Sequence, residues 1–147
     1  MISSGDESDP WRLKRFVAAQ NRGGTYQQAV AELRAGAKVS HWMWFVFPQI
    51  AGLGLSATAR EYAISGVAEA RAYLAHPVLG PRLRECAGIV AGTTGRTAEQ
   101  VFGPVDAMKL RSSMTLFDAA GDGETVFGEV LERFFGGAAD PATLVRL

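Results

Sequence analysis

The chain has 147 residues, 48% of them hydrophobic and 20% charged, which is apolar enough to bury a core in one domain and too apolar for intrinsic disorder. Fifteen Lys and Arg side chains face fifteen Asp and Glu, so the formal charge is zero and the totals favour no nonspecific binding to nucleic acid or membrane surface. A single cysteine, Cys86, excludes an internal disulfide and fits a reducing compartment.

Residues 1–8 are polar and acidic and lack the basic-then-apolar order of a signal peptide, so they read as a flexible tail ahead of a single domain, residues 9–147. Asp9-Pro10 is a helix-start signal, and Leu13, Phe16, Val17 and Gln20 trace one face of the helix it would begin. Gly23-Gly24 ends that run. Thr25 is expected to cap a second helix carrying Tyr26, Ala29, Val30 and Leu33 on one side, closed by Gly36. A short helix is then expected from Ser40 to about Val46, stopped by Pro48. Gly52 and Gly54 mark an irregular loop, and Ser56 caps a helix expected to reach about Ile64. Ser65 caps another, ending near His76-Pro77, with His76 as a cap or turn residue. Leu79, Leu83, Cys86, Ile89 and Val90 pattern the longest middle helix, with Cys86 read as buried. Thr97 and Gln100 form a capping box before a single turn. A helix from about Pro104 to Ala119 carries Val105, Met108, Leu116 and Phe117. Val126, Phe127, Val130, Leu131, Phe134 and Phe135 line an amphipathic one, and Asp140-Pro141 starts a terminal turn. With no alternating strand pattern and no solenoid repeat, the expectation is an all-α domain of about eight helices, several of them short. The longest apolar run, Trp42 to Phe47, is far too short to span a bilayer, so no membrane association is expected and the location is read as cytoplasmic.

Two constellations could carry chemistry. Lys38 to Gln49 gathers two tryptophans, two phenylalanines, a histidine and a lysine within twelve residues. These rings could be the centre of a small core. Equally, one of them, such as Trp44, could line a pocket for a flat ligand with Lys38, His41 and Gln49 as polar partners. His41 could act as a general acid or base, or be a hydrogen-bonded core residue. The second constellation, Asp106, Lys109 and Ser112 or Ser113, would set an acid, an ammonium and a hydroxyl on one helical face. Such a face can hold a phosphate or ribose; it can also be an intrahelical ion pair with serines packed on a neighbour. No phosphate-binding loop, dinucleotide fingerprint, nucleophile elbow, calcium loop or Cys/His zinc spacing is present, so neither a cofactor nor a metal is expected.

The run Gly36-x-Lys38-x-Ser40-His41-Trp42-Met43-Trp44-Phe45-Val46-Phe47-Pro48-Gln49-Ile50-x-Gly52-Leu53-Gly54-x-Ser56 resembles the hallmark of the family called domain of unknown function 1810. The likeness extends upstream to Arg15-Phe16-Val17 and downstream through His76-Pro77-Val78-Leu79-Gly80 to the stretch Asp106 to Phe117. It implies a mainly helical fold and no established activity. Some members carry the label calpastatin; such inhibitor segments are polar and disordered, which the composition here rules out. The order Ser56, Glu61-Tyr62, Glu69, Leu74 and His76-Pro77, followed by the Met108–Phe117 segment, is also similar to the helical N-glycosidases of the NADAR group. That second likeness implies Glu61 or Glu69 assisting water at an anomeric carbon. Lys38, Lys109 or Arg82 would hold phosphate, with a tryptophan stacked on the leaving base.

Three functional readings follow. One is a domain binding a small phosphorylated or nucleotide-like ligand through Lys38, His41, Trp44, Gln49, Glu69, Asp106, Lys109 and Ser112; the others are the N-glycosidase and a non-catalytic protein-interaction module. Convergence of the polar groups on one cleft separates the first from the last. Nothing in the sequence speaks to oligomeric state.

Overall fold

The computed structural model describes residues 9–147, and the expected tail, residues 1–8, lies outside them. Helix α1 is Lys14–Asn21. Asp9 acts as the expected acceptor, taking the N–H groups of Leu13 and Lys14 at 2.7 and 3.0 Å, but the helix begins four residues beyond Pro10. The delay comes from Arg12, whose φ of 53° is incompatible with a continuous right-handed helix. A 3₁₀ turn, Arg22–Gly24, leads into α2, Thr25–Ala35. Left-handed Gly24 occupies the cap position, and the Thr25 hydroxyl turns back to donate to the Arg22 carbonyl.

Helix α3 is only Met43–Val46, shorter than the run from Ser40 that its sequence suggests. Backbone N–H groups of Val39 and Ser40 donate instead to Glu32, which holds 39–42 as a loop. Ser56 caps α4, Ala57–Glu61, accepting from the Ala59 N–H at 3.1 Å. That helix stops short of Ile64 because Ile64 is taken by a parallel bridge to Ile50. The Ile64 N–H donates to the Gln49 carbonyl and the Ala51 N–H to the Ile64 carbonyl. Helix α5 is Val67–Ala75, with Gly66 rather than Ser65 at its cap. Helix α6 is Leu79–Ala91, and His76 starts it by accepting from the N–H groups of Val78 and Leu79 through Nδ1. Helix α7, Ala98–Phe102, has the Thr97–Gln100 capping box, and α8 is Pro104–Ala120. Helix α9 is Val126–Phe135, and α10, Pro141–Leu144, is capped by Asp140.

Among the described residues no strand forms beyond the single bridge, and the fold is all-α in one domain. Helix α8 is its axis, with Ser112 to Phe117 buried in unbroken succession, as befits a helix packed against neighbours on every side. Helices α5, α7, α9 and α10 pack around it. An aromatic chain crosses the core from α1 to α9: Phe16 meets Tyr73 at 5.2 Å between centroids, Tyr73 meets Phe117 at 5.3 Å, and Phe117 meets Phe127 at 5.9 Å. Two expected core residues, Val105 and Met108, are 65% and 72% exposed, because α8 packs through Ala107, Leu110, Met114 and Phe117 instead. Cys86 is buried, and burial pushes its thiol up to about 12. No described helix is long and apolar enough to cross a membrane.

Candidate functional site

The aromatic segment divides between core and cleft. Trp42, Met43, Val46 and Phe47 are buried, whereas Trp44 is half-buried and His41 exposed. Four helical residues can put side chains on every side of the axis, so most of the segment is core while Trp44 faces a cleft.

Glu32 sets the shape of this region. Its Oε1 accepts from the N–H groups of Val39 at 2.8 Å and Ser40 at 2.9 Å and from the Trp42 indole at 2.9 Å. Its Oε2 accepts from the Ser40 hydroxyl at 2.6 Å and the Gln28 amide at 2.8 Å. Burial pushes the Glu32 carboxyl up, but these bonds, led by those from Ser40, outweigh it and hold the group down at about 2. The carboxylate therefore fixes the loop that presents Lys38 and His41.

Lys38 is anchored twice more. Its N–H donates to the Val101 carbonyl at 2.8 Å, and its Nζ donates to the Ser40 carbonyl at 2.6 Å. The ammonium, with a side chain only 5% exposed, pairs with Asp106 at 2.7 Å on the first turn of α8. Lys109, one turn further, lies 3.5 Å from the other Asp106 oxygen and 4.6 Å from the centroid of the Trp44 ring. Two ammonium groups thus share one carboxylate, leaving one positive charge in excess beside a half-exposed indole. Lys38, His41, Trp44, Asp106 and Lys109 line a single cleft of 310 Å³, closed on its other side by Phe102, Gly103 and Val105.

The remaining expected site residues lie elsewhere. Gln49 lines a separate cavity of 270 Å³, whose wall includes Trp44, so Trp44 stands between the two. Ser112 is buried against α10, 2.7 Å from the Thr143 hydroxyl. Six positions along a helix is well over a full turn past Asp106, which turns Ser112 away from the cleft. Glu69 is buried and tied to the Ser65 N–H at 2.8 Å and to Arg15 at 3.1 Å. Glu61 is exposed and pairs loosely with Arg12 at 3.7 Å. Arg82 lies over the Tyr26 ring at 4.6 Å and donates to Gln20 and Asn21. Neither acid nor Arg82 lines either cavity.

Sequence reasoning passed over Glu32 and quoted Tyr62 only within a family likeness, with no role of its own. A usable signal existed for Glu32: it sits beside Leu33, one turn after Ala29, and a carboxylate among buried positions needs donors.

A model of the family described as Protein of unknown function (DUF1810) matches residues 10–147. The chain belongs to that family. The crystal structure of the conserved hypothetical protein Rv1873 from Mycobacterium tuberculosis is similar over 95% of this chain and 98% of that one, at 52% identity and a TM-score of 0.91. Among functionally curated proteins, none matches. This DUF1810 chain thus shares its fold with a solved relative described as a conserved hypothetical protein.

Proposed function

We propose that this DUF1810 protein binds a small phosphorylated or nucleotide-like molecule in the cleft between the Lys38–Trp44 segment and the start of α8. The observation that carries this reading is convergence. Two distant parts of the chain bring Lys38, His41, Asp106 and Lys109 to one concavity with a surplus positive charge against an indole face. Lys38 is the fixed member, buried and matched by Asp106; Lys109, more exposed and less tightly paired, is the cation free to meet an anion. The N-glycosidase reading draws less support, because Glu61 and Glu69 lie away from the cleft and Asp106 is shared by two lysines. Val105, exposed at the edge of the cleft, and the exposed Met108 on the same helix keep a protein-interaction role as the alternative.

Thermal shift against inorganic phosphate, ribose 5-phosphate, AMP and ADP-ribose tests the proposal. A ligand present at 100 times its Kd stabilises by about 2.7 kcal/mol, a readily measured rise. At least one phosphorylated compound should raise the Tm of the wild-type protein and fail to raise that of Lys109→Ala. No shift with any of them would sink the ligand reading and leave the interaction module.

A further inference from the structure

The second cavity, across Trp44 from the charged cleft, has a different chemistry. Its walls are aromatic: the Trp44 ring on one side and Tyr62 on another. Tyr62 is held in place by Phe45, edge-on at 4.7 Å, and by Phe16 at 5.7 Å. Gln49, the exposed Arg60, Ile50, Ala51, Gly52 and Gly54 also line it. Among the described residues no carboxylate lines this space.

The polar groups here are unspent. The bridge between Ile50 and Ile64 uses the Gln49 carbonyl and the Ala51 N–H, but among the described residues the N–H groups of Ile50, Gly52 and Gly54 donate to no protein acceptor. Nor do the Gln49 amide, the Tyr62 hydroxyl or the Trp44 indole N–H bond to any other described residue, in contrast to Trp42, whose indole is committed to Glu32. Half-buried polar groups of this kind need water or a ligand to complete them. The loop that carries them is held close to α4: a Cβ on Gly54 would lie 2.5 Å from that of Ala59, so only glycine fits there.

Two ring walls with an amide and free backbone donors between them suit a flat heterocycle that carries donors and acceptors on its edge. Stacking supplies area and the Gln49 amide supplies a bidentate edge contact. Each cavity alone is at or below the usual low end of about 300 Å³ for small-molecule sites, whereas the pair reaches the normal range. Resting on the reading of the charged cleft as an anion site, we propose that the Gln49–Tyr62 cavity is the base subsite of the same ligand. The ligand class is then a nucleoside phosphate that straddles Trp44, with its heterocycle in the neutral cavity and its phosphate at Lys109.

Isothermal titration of the full chain with AMP, UMP, ribose 5-phosphate and inorganic phosphate tests the subsite separately from the anion site. At least one nucleotide should bind about tenfold or more tighter than ribose 5-phosphate, the value of one bidentate contact. Gln49→Leu should remove that advantage and leave ribose 5-phosphate binding unchanged, while Lys109→Ala should weaken nucleotide and sugar phosphate alike. Arg60→Ala, at an exposed position, gives a second variant whose folding is not at risk and should also lower nucleotide affinity selectively. Equal affinity for nucleotides and ribose 5-phosphate, or a nucleotide preference that survives both Gln49→Leu and Arg60→Ala, would overturn the base subsite while the anion site stands. Absence of binding by all four compounds overturns both.

Discussion

Glu32 shows how much one side chain can decide. Its five hydrogen bonds replace the helical turn that Ser40 to Trp42 would otherwise form, and the Lys38 and His41 positions follow from that loop. Glu32→Gln keeps the shape but loses the charge, and should cost about 3 kcal/mol, read from the urea midpoint. The pH dependence has a definite sign. The folded carboxyl, at about 2, lies below the ordinary glutamate value of 4.5, so its contribution is complete above 4.5 and is lost as pH falls toward 2. Between those limits the wild-type Tm should fall more steeply than that of Glu32→Gln; parallel curves would refute the assignment. The adjacent serines of α8 give a second contrast. Ser113 is fully buried with its hydroxyl unpartnered among the described residues, so Ser113→Ala should be neutral or stabilising. Ser112→Ala removes the bond between the two hydroxyls, leaving the Thr143 hydroxyl only its bond to Asp140, and should cost about 1 kcal/mol by thermal denaturation. Composition and spacing could not separate those two serines; only the packing of α10 does.

At the level of elements, the sequence is most legible where side chains cap locally. Ser56, Thr97 and Asp140 cap the helices they precede, and His76 starts α6 as its position before Pro77 suggests. Some local signals fail, since Gly24 and Gly66 take the cap positions expected of Thr25 and Ser65, and elsewhere a distant residue intervenes: Glu32 shortens α3, and the bridge to Ile50 shortens α4. Gly80 is a further case, since helical periodicity gives no hint of how close α6 comes to the end of α5. A Cβ at Gly80 would lie 2.1 Å from the Leu74 carbonyl oxygen, and backbone cannot step aside as a flexible side chain would. Gly80→Ala should therefore destabilise by about 2–3 kcal/mol, although alanine is the better helix former. A urea midpoint equal to wild type would show that α5 and α6 separate easily.

For the whole molecule, an all-α single domain was readable from periodicity and from the absence of strand alternation, and the tryptophan run identified the family. The candidate site was readable only as two separate constellations, because the Lys38 and Asp106 segments are each local, and Gln49 and Ser112 fall outside the cleft. The meeting of the two segments was not, since it depends on the Lys38–Val101 backbone bond and the Lys38–Asp106 ion pair that join the ends of a long intervening chain. That junction separates the framework residue Asp106 from Lys109, the cation of the proposed site. Asp106→Asn strands the buried Lys38 ammonium and should cost about 3 kcal/mol or more, whereas Lys109→Ala, at a more exposed position, should change stability by less than about 1 kcal/mol. Comparable losses in the two variants would mean that Lys109 also belongs to the framework.

The division of the tryptophans has a practical corollary. Of the three, Trp11 is 37% exposed on α1's approach, Trp42 is sealed against Glu32, and Trp44 stands between the two cavities with a lysine over its ring. The chain thus carries its own optical gauge, because intrinsic emission has one component fixed in the interior, one set by solvent and one that reports on the clefts. With Trp11 and Trp42 replaced by phenylalanine, or with their signals subtracted through a Trp44→Phe protein, quenching or a colour shift on titration can be traced to a single indole. The residue that marks the family in sequence is also the one placed to announce an occupant in a cuvette.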